Sequence, residues 1–272
     1  MLLKPVEQPA VSPKPAPFVF LEQASAVAES DIRKLIHDPV ELFTRMIQPI
    51  LWLVVFGQVF ARTRAIPTGG LRYLDFMAPG ILAQSVLFGA IFYGISLIWE
   101  RDLGIIHKFL VSPAPRTALV LGRAVSSAIR GFCQAVVVYL VAFLLGVNLR
   151  FQWNAILGVL AIVGLGAATF STFSLIAACI VKSRERFMGI GQVLTMPLFF
   201  ASNAIYPLSL MPAWLRALST VNPLTYQVDA LRYLMIRDGR LEFGLAFDFG
   251  IELLAFSILV AIAARLYPSI IR

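Results

Sequence analysis

FMAPGILAQSVLFGAIFYGISLIW, residues Phe76–Trp99, decides the fold of this chain. Its 24 residues include no charged side chain, and a bilayer core about 30 Å thick takes about 20 helical residues to cross. A soluble helix of this length needs a polar face, and this one has none to offer. In lipid the backbone must satisfy its own hydrogen bonds within the segment, so the run reads as a helix. Five more apolar stretches flank it, at Met46–Ala61, Val120–Gly146, Trp153–Val181, Phe187–Tyr206 and Phe249–Leu266. The predicted fold is an all-α membrane protein of six transmembrane helices.

Composition agrees. The 272 residues are 59% hydrophobic and 14% charged, with a mean hydropathy of +0.82; soluble domains run about 45–50% apolar and about 25% charged. The length suits one membrane domain and leaves no room for a sizeable soluble one. A net charge of +8 fits anionic lipid headgroups and membrane topology rather than nucleic acid. With six spans, 15 of the 23 Lys and Arg residues lie on the side of both termini and 8 lie opposite. The loop KSRER (182–186) votes most cleanly, while Arg62, Arg64 and Arg72 vote the other way. The expectation is a multi-pass protein of the cell's cytoplasmic (inner) membrane with both termini cytoplasmic. Cys133 and Cys179 fall inside spans and read as small buried apolar side chains.

Three regions follow. Residues 1–17 form a flexible, Pro-rich cytoplasmic arm without the apolar core of a signal peptide, so the first span is expected to stay as an uncleaved anchor. Residues 18–38 form an amphipathic helix along the membrane surface, with Leu21, Ala24, Ala28, Ile32, Leu35 and Ile36 on one stripe. Residues 39–272 form the six-helix domain. Within it, a short amphipathic helix at about 99–112 packs Glu100, Arg101, Asp102, Gly104, His107 and Lys108 among Ile105, Ile106, Phe109 and Leu110, and the prolines of SPAP end it. That alternation of charge and apolar bulk reads as a docking surface for another protein. An outer hairpin at about 207–240 dips back into the membrane as a plug or gate. Its first helix starts after Pro212; its second is capped by Asn222, has Pro223 at the first helical position, and runs through Tyr226 to Asp238–Gly239, with Asp229 and Arg232 spaced to pair.

Glu252 sits inside the last apolar stretch, where an acid is either functional or snorkels to water. Met196–Pro197 should kink the fifth stretch. No GxxxxGK[ST], HExxH or GxSxG motif and no Cys/His cluster occurs. The reading therefore gives the chain no catalytic residue, no bound cofactor and no metal, and it is not an enzyme.

ERDLGIIHKFLVSPAPRTALVLGRAV (Glu100 to Val125) resembles the inner loop of the type-2 exporter permeases of ABC transporters. LSTVNPLTYQVDALR (Leu218 to Arg232) resembles that family's outer signature before the last span, most closely the daunorubicin-resistance and nodulation-factor export permeases. Ile105–Ile106 departs from the small polar residue and Thr often found there. The resemblance implies a permease that pairs with a second, identical chain and docks two copies of an ATP-binding cassette subunit, which bind the ATP and Mg. Glu100, Arg101, Asp102, Gly104, His107, Lys108 and Phe109 would form the coupling helix, and Asn222, Pro223, Tyr226, Asp229 and Arg232 the outer gate. Phe88, Phe92, Tyr93, Phe199, Phe200, Asn203 and Tyr206 are candidates to line a path for a hydrophobic or amphipathic cargo (drug, lipid or glycolipid), against the plainer reading that they face lipid or neighbouring helices. A polysaccharide or teichoic-acid type exporter shares the architecture. An ATP-independent secondary transporter and a lipid-modifying membrane enzyme are the remaining alternatives.

Overall fold

The computed structural model describes residues 39–63, 66–104, 116–181 and 183–267, together with Ser25, Glu29, Arg33 and His37. The arm 1–17, most of the helix predicted at 18–38, and residues 105–115, which include His107, Lys108 and Phe109, lie outside the described residues. Helices account for the described chain: α1 (Pro39–Leu51), a π-helical stretch (Trp52–Gly57), α2 (Gln58–Thr63), α3 (Tyr73–Asp102), α4 (Arg116–Leu144), α5 (Trp153–Ile180), α6 (Arg184–Phe200), a 3-10 turn (Leu208–Leu210), α7 (Ala213–Val221), α8 (Pro223–Met235) and α9 (Leu245–Leu266).

Among the described residues four helices, α3, α4, α5 and α9, are long and apolar enough to cross a membrane. Among the described residues the predicted first and fifth spans fall short of a crossing length, the first at the bounds read for it and the fifth because it ends early. Met46–Arg62 is a shorter apolar segment, assembled from α1, the π stretch and α2, with Pro49 inside α1. The fifth stops at Phe200 instead of Tyr206: the chain leaves helical geometry at Ala201, and the Asn222 amide takes the Leu198 and Ala201 carbonyls that a continuing helix would use.

The extent of contact separates helices that look alike in sequence. In α3 the most apolar window is 72% buried, against 11% in α9. Both are apolar on all sides. A helix of that kind must be covered by protein or by lipid, so α3 is the centre of the bundle, packed by α5, α4, α8, α6 and α1. α9 presents Leu253, Leu254, Ile258 and Ile262 outward.

The bundle has two ends, named here basal and apical. At the basal end α3 stops and α6 starts. At the apical end the loops are stitched together: Arg150 N–H donates to Met235 O (2.8 Å), Arg237 N–H to Asn148 O (3.0 Å), and Leu149 forms an isolated antiparallel bridge with Ile236. This stitching ends α8 at Met235, three residues before the predicted Asp238 stop.

Candidate functional site

The basal end is built from the last turn of α3. Glu100 is buried and accepts from the equally buried guanidinium of Arg123 on α4. It therefore faces the bundle and anchors the predicted docking segment. Asp102 lies outside and accepts from Arg101 (3.1 Å) and from Arg184 at the start of α6 (2.9 Å). Arg184 also lies 3.6 Å over the ring of Trp99. Gly104 closes α3 with φ +71°, the left-handed cap that suits glycine, its N–H donating to Arg101 O at 2.9 Å.

At the apical end Asn222 does two jobs. Its Oδ1 accepts from Leu224 N–H (3.1 Å), which is the predicted cap, and its Nδ2 donates to Leu198 O (2.6 Å) and Ala201 O (2.7 Å). It thereby closes the carbonyl end of α6 and the amide end of α8 together. Pro223 holds the first helical position, and Tyr226 donates to Thr220 O (2.6 Å). Asp229 and Arg232, predicted to pair, interact through their charges but form no direct ion pair. Asp229 accepts from the N–H groups of Glu242 (2.9 Å) and Phe243 (3.1 Å), and Arg232 donates to Asn203 O (2.6 Å) while lying 3.9 Å over Phe76. The two backbone donors outcompete a side chain that the chain bend at Ala201 draws toward Asn203. Burial pushes the Asp229 carboxyl up, and the two N–H groups and Arg232 pull it back. Burial lowers Arg232 to about 10, so it stays a cation at neutral pH.

The predicted path residues divide. Phe88 and Phe92, with ring centroids 6.2 Å apart, line a cavity of about 370 Å³ between α1, α3 and α4. Tyr93 turns away to lie under Arg130 (4.9 Å). Phe199 is fully buried against Trp52 and Phe200, Phe200 is partly exposed, Asn203 is buried beside Arg232, and Tyr206 donates to Phe200 O. These four belong to the apical packing and not to the cavity. The cavity also gathers Gln48 from α1, Gln84 and Ser85 from α3, and Gln134 from α4, and among the described residues no charged side chain lines it. Residue reading missed the three glutamines; the signal for two of them was a lone amide in each of the second and third apolar stretches, whereas the first stretch carries both Gln48 and Gln58. It also missed Asp248, which starts α9 one turn before Glu252. Both acids are fully buried, so Glu252 does not snorkel.

Long apolar helices fixed by charged clusters at each end, around a neutral cavity, define an integral membrane transport subunit. Residues 22–236 match the family described as ABC-2 type transporter, and the chain belongs to that family. It is 30% identical over 223 residues to the putative transport permease ycf38 of Cyanophora paradoxa, covering 80% of this chain and 75% of that protein. It is 26% identical over 230 residues to the daunorubicin resistance ABC transporter permease protein DrrB1 of Streptomyces coeruleorubidus (85% and 79%). It is 24% identical over 211 residues to the inner membrane transport permease YadH of Escherichia coli strain K12 (74% and 79%). The chain is a membrane permease of an ABC transporter, and membership implies an ATP-binding partner subunit.

Proposed function

We propose that this permease exports a hydrophobic or amphipathic molecule, such as a drug, lipid or glycolipid, from the cytoplasm, driven by ATP hydrolysis in a separate subunit. The observation that carries the cargo class is the neutral cavity: Phe88 and Phe92 offer apolar bulk, and Gln48, Gln84 and Gln134 offer amides to a polar head. A bare charge would find no counter-charge in that lining and meet a steep desolvation cost. The basal end faces the cytoplasm, and the segment 99–112 docks on the ATPase. Two identical permeases pair over two ATP-binding subunits, α1–α2 and α6 complete six crossings with neighbours, and both termini are cytoplasmic. ATP-driven closure of the ATPase pair shifts α3 through the Glu100–Arg123 and Asp102–Arg184 contacts, and cargo moves because it binds the two packings differently.

The test is ATP-dependent uptake of a neutral fluorescent amphiphile into inverted vesicles holding the permease and its ATPase. Q84L with Q134L is expected to cut uptake at least tenfold while both subunits still co-purify; unchanged uptake removes the cavity from the path. The amides also favour a second reading, a glycan exporter, which predicts competition by a lipid-linked sugar and none by a sugar-free amphiphile.

A further inference from the structure

The seam between α5, α8 and α9 holds more acid than base. Asp248 and Glu252 stand four residues apart on one face of α9, both fully buried. Neither oxygen of Asp248 has a hydrogen-bond partner, nor does Oε1 of Glu252. Glu252 Oε2 lies 3.1 Å from the Thr169 hydroxyl, and that same hydroxyl lies 2.9 Å from the carbonyl of Leu165. Gln227 on α8, fully buried with neither amide atom partnered, presses against Gly166, one turn of α5 from Thr169.

A threonine hydroxyl carries one hydrogen, and a backbone carbonyl can only accept. If Thr169 gives its hydrogen to Leu165 O, the hydrogen between Thr169 and Glu252 comes from Glu252, and an ionised carboxylate has none to give. The charges around the seam lead to the same place. Tyr226, Asp229 and Arg232 face it from α8, Glu242 from the loop, and Asp248 from α9 itself. α5 brings no charged side chain. α4 brings Arg123 to the basal end of α9, at Tyr267, 15 residues from Glu252 or about 22 Å along the helix. Arg232 is engaged with Asn203 and Phe76, and its charge is answered by Asp229. Arg130, the other arginine of α4, lies over Tyr93 of α3. Among the described residues no cation is left to offset an ionised Glu252, and an uncompensated buried charge is costly enough that the group takes up a proton instead.

We propose that Glu252 is a proton-binding site. It holds a proton as a neutral carboxyl while α9 is packed on α5, donating to Thr169, and releases it when the seam opens to water. Asp248 and Gln227 supply oxygen acceptors one turn nearer the apical end. The proposal depends on neither the cargo nor the direction of transport.

The experiment uses the full chain in nanodiscs. Wild type, E252Q and E252A are melted from pH 6 to pH 9.5, and wild type is treated with dicyclohexylcarbodiimide, which adds to protonated carboxyls in apolar surroundings. The packed state binds a proton that the unfolded chain releases, so stability is full at low pH and is lost as pH rises. The wild-type midpoint should therefore fall by several degrees toward pH 9.5. E252Q keeps a donor for Thr169, so it should match wild type at pH 6 and lose a measurable share of that fall, the buried Asp248 carrying the remainder. E252A should melt lower throughout. Mass spectrometry should find the carbodiimide on Glu252 at pH 6 and progressively less at higher pH. An E252Q variant that keeps the full wild-type slope, or melts as low as E252A at pH 6, overturns the proposal. So does a folded wild-type protein with Glu252 unlabelled at pH 6.

Discussion

At the scale of the residue, two side chains hold more than one element each. Removing one partner of the buried Glu100–Arg123 pair leaves the other charge unanswered. R123A is expected to destabilise the protein by about 3–5 kcal/mol, and E100M/R123M to recover most of that loss, because matched apolar replacements leave no stranded charge; thermal melts in detergent read both. Asn222 separates two effects within one side chain. N222D keeps the oxygen that caps α8 and loses the amide that closes α6, whereas N222A loses both. With a cap contributing about 1 kcal/mol and a stranded buried carbonyl costing about 1–3 kcal/mol, both variants should melt below wild type, and N222D no higher than N222A at neutral pH, because its carboxylate faces the Leu198 and Ala201 carbonyls. The cap itself was legible, since Asn before Pro before an apolar run announces a helix start. The partners of its amide were not, because they lie 21 and 24 residues earlier on a different helix.

At the scale of the element, boundaries followed hydropathy wherever nothing local opposed it. α5 and α9 end within one residue of where the apolar run ends, and α3 extends three residues beyond its run at each end because Tyr73 to Asp75 and Glu100 to Asp102 add polar turns that the loops then bind. α6 departs because a distant side chain, the amide of Asn222, takes the carbonyls at its end. The seam acids were half visible: Glu252 stood out as a charge in a greasy stretch, whereas Asp248 fell just outside that stretch and looked like loop. Packing between elements also sets which glycines can change. A Cβ on Gly80 of α3 would drive into the backbone carbonyl of Ala204, which cannot give way, whereas Gly189 of α6 has open space around it. G80A should cost about 1–3 kcal/mol by overpacking, and G189A should be neutral or stabilising by up to about 1 kcal/mol through helix propensity; side-by-side melts check the contrast.

At the scale of the whole molecule, the basal end is where a push from a partner would enter. Asp102 and Arg184 join α3 to α6 across exposed surface, so they add under about 1 kcal/mol to stability yet set how the two helices move together. D102R is expected to leave the melting point within about 2 °C of wild type while lowering cargo-stimulated ATPase activity of the assembled transporter severalfold. The swap D102R/R184D should restore it. A D102R protein with full stimulation would remove this contact from the relay. The cavity is also a whole-molecule property: Gln48, Gln84 and Gln134 are far apart in sequence, and only the meeting of α1, α3 and α4 brings them together. The loosely wound turn at Trp52–Gly57 bears on that meeting. A π turn accommodates one residue beyond what regular winding would use, and each residue of an α-helix turns its successor by about 100°. Wound as a regular α-helix with all its residues, the segment would turn Phe60 by about 100° relative to Gln48; the wide turn absorbs that surplus, so deleting Val54 or Val55 should restore regular winding with Phe60 still against Tyr73 and Gln48 still at the cavity, and one rod serves the cavity below and the aromatic seam above.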